Sequence, residues 1–213
     1  MNRQRVSWQI LFLVFAVALL AFPSPARAWE GNELPPLDEF IEQVSNGEAD
    51  VLRGIYAPDV FAFPIVSQPE SNPAFVSTQP ETLTEFGAAR QYDTTGLLAH
   101  NYLAGQDFSL LAEGQEILLI YGDGRLESYF IREVMRFQAL SPNSVTSDFV
   151  DLDSGERLSS TDLFFKVFNR PGELTLQTCL YADGNLSWGR LFILAEPNHA
   201  DTPMSMPHRM KFY

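Results

Sequence analysis

From residue 96 to residue 195 the sequence alternates short apolar runs with clusters of turn residues. No other feature constrains the fold as much. Apolar runs occupy residues 96–101, 117–121, 126–137, 163–168, 173–179 and 190–195. Between them stand Gly122-Asp123-Gly124, Ser141-Pro142-Asn143, residues 151–155, Pro171-Gly172 and Asp183-Gly184-Asn185. Runs this short are strand-sized, and Gly-Asp-Gly between apolar runs is a hairpin signal. Many short strands at such spacing predict a mainly β domain closed into a barrel or stacked as a sandwich. An abundance of Phe, 17 residues, leans the same way.

Upstream of this region the signals differ. Leu37, Phe40, Ile41 and Val44 recur at i, i+3, i+4 and i+7, which predicts a short N-terminal helix over residues 37–46 ended by Gly47. Prolines at 58, 64, 69, 73 and 80 exclude a helix there and allow only short edge strands, such as residues 59–63 and 74–77. Residues 51–56 fit either a continuation of the helical region or a segment paired with the core. The first 28 residues have the form of an export signal: Arg3 and Arg5, an apolar run over 10–21, and Ala26-Arg27-Ala28 as a small-x-small cleavage site. The expected layout is a signal peptide at 1–28, an N-terminal extension of helix and Pro-rich segment at 29–93, the barrel core at 94–196 and a tail at 197–213. A membrane enters only if the N-terminal segment is retained.

Of 14 basic residues, Arg3, Arg5 and Arg27 lie in that first segment, leaving 11 against 27 acidic ones, a formal charge of −16. Such a field repels phosphate backbones, so no nucleic-acid partner is expected. Asp148, Asp151, Asp153 and Glu156 cluster in a loop, but their spacing fits no EF-hand. They read as a solvated acidic turn, and no metal or cofactor is expected.

The chain has one cysteine, Cys179, so it has no internal disulfide. In an exported protein that leaves a packing residue or a thiol kept for its chemistry. Leu174 and Leu176 alternate with Thr175 and Gln177, a strand with one buried face, and Cys179 stands where this strand is expected to give way to a polar loop over 180–188. A thiol with a pKa near ~8.5 needs an imidazole or cation beside it to act as a nucleophile. His199 and His208 fall in the Pro-bearing tail, whereas His100 ends an apolar run and is the candidate imidazole. Arg190 opens the last apolar run. If the two runs form a hairpin, it lies near Cys179 and offers a permanent charge to a developing oxyanion. Each residue also has an ordinary structural use, as core thiol, satisfied histidine and surface arginine.

Together they resemble one family. Thr175-Leu176-Gln177-Thr178-Cys179 is similar to the TLxTC signature of sortases, and Gly189-Arg190-Leu191-Phe192-Ile193 resembles the strand that follows it there. Ala99-His100, Phe108-Ser109-Leu110-Leu111 and Gly114-Gln115-Glu116-Ile117 stand upstream in family order, and the likeness spans residues 94–196. It departs from the family at Ala99, where a Gly commonly precedes the histidine, and in a cleavable signal where many sortases keep an anchor. The resemblance implies a closed eight-stranded sortase-type β-barrel and an exported, secreted or cell-surface cysteine transpeptidase. It implies Cys179 as nucleophile, His100 as acid and base, and Arg190 as oxyanion or carbonyl partner. The implied partners are a secreted protein or peptide bearing a sorting motif and an amine acceptor. A thiol endopeptidase with the same site, and a non-catalytic exported peptide-binding barrel, are the alternatives. A papain-like site is disfavoured because its cysteine begins a helix, whereas Cys179 belongs to a strand.

Overall fold

The computed structural model describes residues 34–198. The expected export signal lies outside them, as do most of the tail, His199 and His208. Among the described residues no helix is long and apolar enough to cross a membrane.

A helix α1 (Leu37–Val44) precedes strands β1 (Leu52–Ala57), β2 (Phe61–Ser67), β3 (Leu83–Glu85) and β4 (Thr95–Leu98). After a 3-10 segment (Ala104–Leu110) come β5 (Glu116–Tyr121), β6 (Leu126–Ala139), β7 (Phe149–Asp151) and β8 (Arg157–Leu158). Helix α2 (Ser160–Phe168), β9 (Leu174–Ala182) and β10 (Asn185–Pro197) complete the order. The sheet runs β10-β9-β4-β3-β2-β1-β5-β6, and β6 pairs again with β10. That last pairing closes an eight-stranded barrel; β7 and β8 continue the sheet from β6 as a flap outside the ring. The pairings β2–β3 and β4–β9 are parallel. Closure leaves no free edge among the eight staves.

Alternation along each strand sorts side chains between two cores. Ile55, Leu97, Ile117, Leu119, Leu174, Leu176 and Ile193 fill the barrel interior with no solvent exposure. Outside, Leu163, Val167 and Phe168 of α2 pack on Met135, Phe137, Phe192 and Leu194 of β6 and β10. The Phe168 ring lies 6.2 Å from Phe192, and Phe192 lies 5.9 Å from Phe137, both edge-on. On the far side of the barrel Phe40 of α1 covers β1 closely at Gly54, where a Cβ would lie 3.0 Å from the Phe40 ring and 3.1 Å from Val44.

Four expectations are corrected. The barrel begins at Leu52 rather than near residue 94: β1, β2 and β3, expected within an N-terminal extension at 29–93, are staves of the closed sheet. The run around Pro64 is therefore no edge strand. The β2–β3 ladder starts at Ile65, one residue past Pro64, so the missing N–H costs no rung of that ladder. Residues 163–168, expected as a strand, belong to α2. Short apolar runs are ambiguous by period, and the deciding signal is Ser159, whose hydroxyl accepts from the Asp162 amide at 3.1 Å as a helix N-cap. Residues 74–77 form no strand.

Candidate active site

Strand β9 lies between β4 on one side and β10 on the other, so it carries Cys179 between the segments that carry His100 and Arg190. In the antiparallel β9–β10 register Cys179 faces Arg190 directly. Directly opposed residues share a face of the sheet with Cβ atoms about 4.5–5.5 Å apart. In the parallel β4–β9 register Leu98 pairs with Gln177, and the Ala99 amide donates to the Gln177 carbonyl at 3.1 Å. The paired register ends there; His100 follows two residues beyond Leu98, and Cys179 two residues beyond Gln177.

The face they share is the outer one. Leu174, Leu176 and Thr178 of β9, and Leu191, Ile193 and Ala195 of β10, point into the barrel and are buried. Cys179 and Arg190 alternate with these and face out; Thr175, on their side, donates its hydroxyl to the Val167 carbonyl of α2 at 2.6 Å. Leu97 of β4, and Ala99 just after it, belong to the interior core and Leu98 to the outer one; His100, just beyond the strand, is half-buried. Cys179 is half-buried. The resulting row continues across the wall, since Arg190 pairs with Phe137 and Phe137 with Asp151.

Several contacts hold this row. Thr178, buried beneath Cys179, donates its hydroxyl to the Ala99 carbonyl at 2.9 Å, clipping the thiol strand to the residue before His100. The His100 carbonyl accepts from the amides of Leu103 and Gly105, both at 3.0 Å, so the chain turns back on itself directly after His100. Gly105 is obligatory in that curl: a Cβ there would collide with Thr178 Oγ1 and lie 2.8 Å from the His100 carbonyl oxygen. The His100 ring stacks on the exposed Tyr102 ring at 5.1 Å. Arg190 Nη1 donates to the carbonyls of Ser187 at 3.1 Å and Gly189 at 2.8 Å, and its guanidinium lies 5.7 Å from the Phe149 ring centre. Among the described residues no hydrogen bond joins the imidazole, thiol and guanidinium to one another.

The expected loop after Cys179 is replaced by a tighter device. Strand β9 runs on to Ala182, and Asp183 (φ 51°) and Gly184 (φ 75°) make a two-residue hairpin turn with both residues left-handed. Ala182 then pairs with Asn185 and Leu180 with Gly189, so Tyr181 alone faces three residues of β10. Leu186, Ser187 and Trp188 thus form a bulge beside Cys179 and Arg190. Asn101, next to His100, donates Nδ2 to the Leu186 carbonyl of this bulge at 2.9 Å.

The acidic turn is occupied otherwise. Asp148 pairs with Arg157 at 2.6 Å, Glu156 with Lys166 at 3.6 Å, and buried Asp151 accepts from the amides of Asp153 and Ser154. Among the described residues no group of three or more His, Cys, Asp or Glu side chains is placed to hold a metal ion.

No protein-family model matches the chain, and no curated protein matches it. The solved structures to which it is similar include sortases. With sortase C1 from Streptococcus suis the TM-score is 0.47 at 11% identity, over 98% of this chain and 93% of that one. With sortase C-1 from Actinomyces oris the TM-score is 0.45 at 15% identity, over 89% of this chain and 98% of that one. With sortase A from Listeria monocytogenes the TM-score is 0.43 at 12% identity, over 72% and 88%. Below a TM-score of 0.5 the likeness carries no further weight, and closure of the barrel stands on the strand pairings alone.

Proposed function

We propose that this chain is an exported, sortase-like cysteine transpeptidase with Cys179 as nucleophile, His100 as acid and base, and Arg190 as the oxyanion or carbonyl partner. The observation that carries the reading is the row itself. Cys179 and Arg190 are directly opposed on adjacent staves of a closed barrel, and His100 follows the end of β4, whose Leu98 pairs with Gln177 on the thiol strand. A fold stabilised by its interior has no need of a thiol, an imidazole and a guanidinium side by side on its outside wall.

In this reading the Cys179 sulfur attacks the scissile carbonyl carbon of a sorting-motif peptide from a secreted protein. The carbonyl oxygen gains the electron pair, and Arg190 stabilises that charge. The C–N bond breaks, the amine leaves with a proton from the imidazolium of His100, and a thioester on Cys179 remains. An incoming amine then attacks the thioester while His100 takes its proton. The S–C bond breaks, and the thiolate and imidazolium are restored. Replacing the amine by water gives hydrolysis by the same groups.

The test is alkylation of Cys179 in the native full chain, followed by capture of library peptides as thioesters detected by intact mass. The expected result is ready native alkylation, a peptide adduct absent in Cys179→Ala, and release of the adduct as an amide when an amine is added. Release only as free acid would make the chain a thiol peptidase. A Cys179 that reacts only after denaturation would sink the catalytic reading and leave a peptide-binding barrel.

A further inference from the structure

Arg190 does not reach across to Cys179 unsupported. Its Nη1 is held by the Ser187 carbonyl of the β10 bulge and by its own neighbour Gly189. The adjacent carbonyl in that bulge, Leu186, is held by Asn101 Nδ2 at 2.9 Å, 85 residues away in sequence. Asn101 directly follows His100 beyond the end of β4, and the bulge belongs to β10. The bond therefore passes over the end of β9, the strand that carries Cys179. Two consecutive bulge carbonyls are thus pinned, one by the residue beside the candidate imidazole and the other by the candidate guanidinium.

The bulge needs such a pin. Three residues of β10 face one of β9, so the ladder that would otherwise fix their carbonyls is interrupted. The remaining restraint within the turn is local: the Ser187 amide donates to Asn185 Oδ1 at 2.8 Å, and Trp188 Nε1 donates to Asp183 Oδ2 at 3.1 Å. Both bonds stay inside residues 183–188 and do not tie that segment to the rest of the wall. Asn101 does, from a half-buried position in the turn that follows His100.

We propose that Asn101 is a positioning residue: it latches the Leu186–Trp188 bulge across the thiol strand and, through the Ser187 carbonyl, sets where the Arg190 guanidinium sits relative to Cys179. The role of Arg190 rests on the functional reading above; the latch does not. Aspartate is the informative substitution. It matches asparagine in size, but as a carboxylate it has no proton to donate and repels the Leu186 carbonyl.

The experiment compares the full chain with Asn101→Asp, Arg190→Gln and the double variant. Two readouts are taken: hydrogen exchange resolved over residues 184–190 and over β6, and the pH profile of Cys179 alkylation. In Asn101→Asp, exchange over 184–190 is expected to rise roughly three- to tenfold, the population change from losing one ordinary hydrogen bond, with β6 unchanged. Its alkylation profile is expected to move toward that of Arg190→Gln, with the double variant matching Arg190→Gln alone. Unchanged exchange at 184–190, or faster exchange spread through β6, would overturn the latch. Additive alkylation effects would overturn its action through Arg190. Should Cys179 be inert in all four proteins, the catalytic reading fails, and the exchange data alone decide whether Asn101 latches the bulge.

Discussion

The two ends of β6 border two polar groupings built on opposite principles. Near its start, Tyr121 and Tyr129 donate to Glu127 Oε2 at 3.0 and 3.2 Å, and Arg125 pairs with the other oxygen at 2.5 Å while covering the Tyr121 ring. Each polar atom there serves another, and the grouping closes on itself. Near its end, beside Phe137, stands Arg190, held by two backbone carbonyls, opposite Cys179; His100 stacks on Tyr102, and buried Thr178 clips the two chains together, with no hydrogen bond among the three side chains. Polar residues that satisfy each other stabilise a fold. Polar residues held level by the backbone, with capacity left over, are free to meet a substrate. The difference separates a structural cluster from a candidate site without appeal to residue type.

The sharpest way to break this comparison is to delete the imidazole. His100→Ala should slow peptide thioester formation by about 100-fold or more, the range of a lost acid–base group, while leaving the urea midpoint within about 0.5 kcal/mol of wild type. A large stability loss with little kinetic effect would make His100 a structural residue and erase the contrast. Next in size is Gly189→Ala. A Cβ there collides with the Phe137 carbonyl, which is backbone and cannot step aside. Denaturation should show a loss of about 2–3 kcal/mol, as overpacking of a rigid site costs. A neutral result would mean the β6–β10 seam that closes the barrel yields easily.

Thr178→Val keeps the shape of the side chain and deletes the hydroxyl that donates to Ala99. Equilibrium unfolding should register about 1–2 kcal/mol, and Cys179 alkylation should lose part of its dependence on His100. If only stability falls, Thr178 merely satisfies a buried carbonyl and does not align the pair. The smallest effect belongs to the other grouping. Burial, and then the nearby Glu127 charge, push the Tyr121 phenol up to about 12 and raise Tyr129 as well. Because the folded value exceeds the unfolded value near ~10, the contribution is intact below pH ~10 and is lost as pH rises toward about 12. With allowance for the solvent that reaches Tyr121, the loss is about 1 kcal/mol. Ultraviolet titration should find these two phenols among the last to ionise, with Tyr121 shifted downward in Glu127→Gln. Ordinary titration of both would mean that the cluster is no tighter than the candidate site.

Much of the candidate site is legible in the sequence. The TLxTC-like run, the single thiol, His100 at the end of an apolar stretch and Arg190 at the head of another marked the three residues. Strand alternation implied that Cys179 and the leucines before it face opposite ways. What misled was local. Pro64 looked like an edge-strand residue because a proline removes one donor, but the neighbouring ladder stops short of it. Residues 163–168 looked like a strand because six apolar-rich residues carry too little period to choose. Asn101 could be noticed beside His100, yet its partner, a carbonyl 85 residues on, could not.

By itself the sequence determined that the chain is mainly β and has a single thiol, and it marked His100 and Arg190 as the candidate imidazole and guanidinium to serve it. Those properties follow from residue chemistry and the two-residue period of strands, which are local. Tertiary structure alone decided that β1 to β3 belong to the ring, that β6 and β10 seal it, and that the row lies on the outer wall with a pinned bulge above it. Register and closure depend on pairings between distant segments, and only the folded chain satisfies all of those pairings at once.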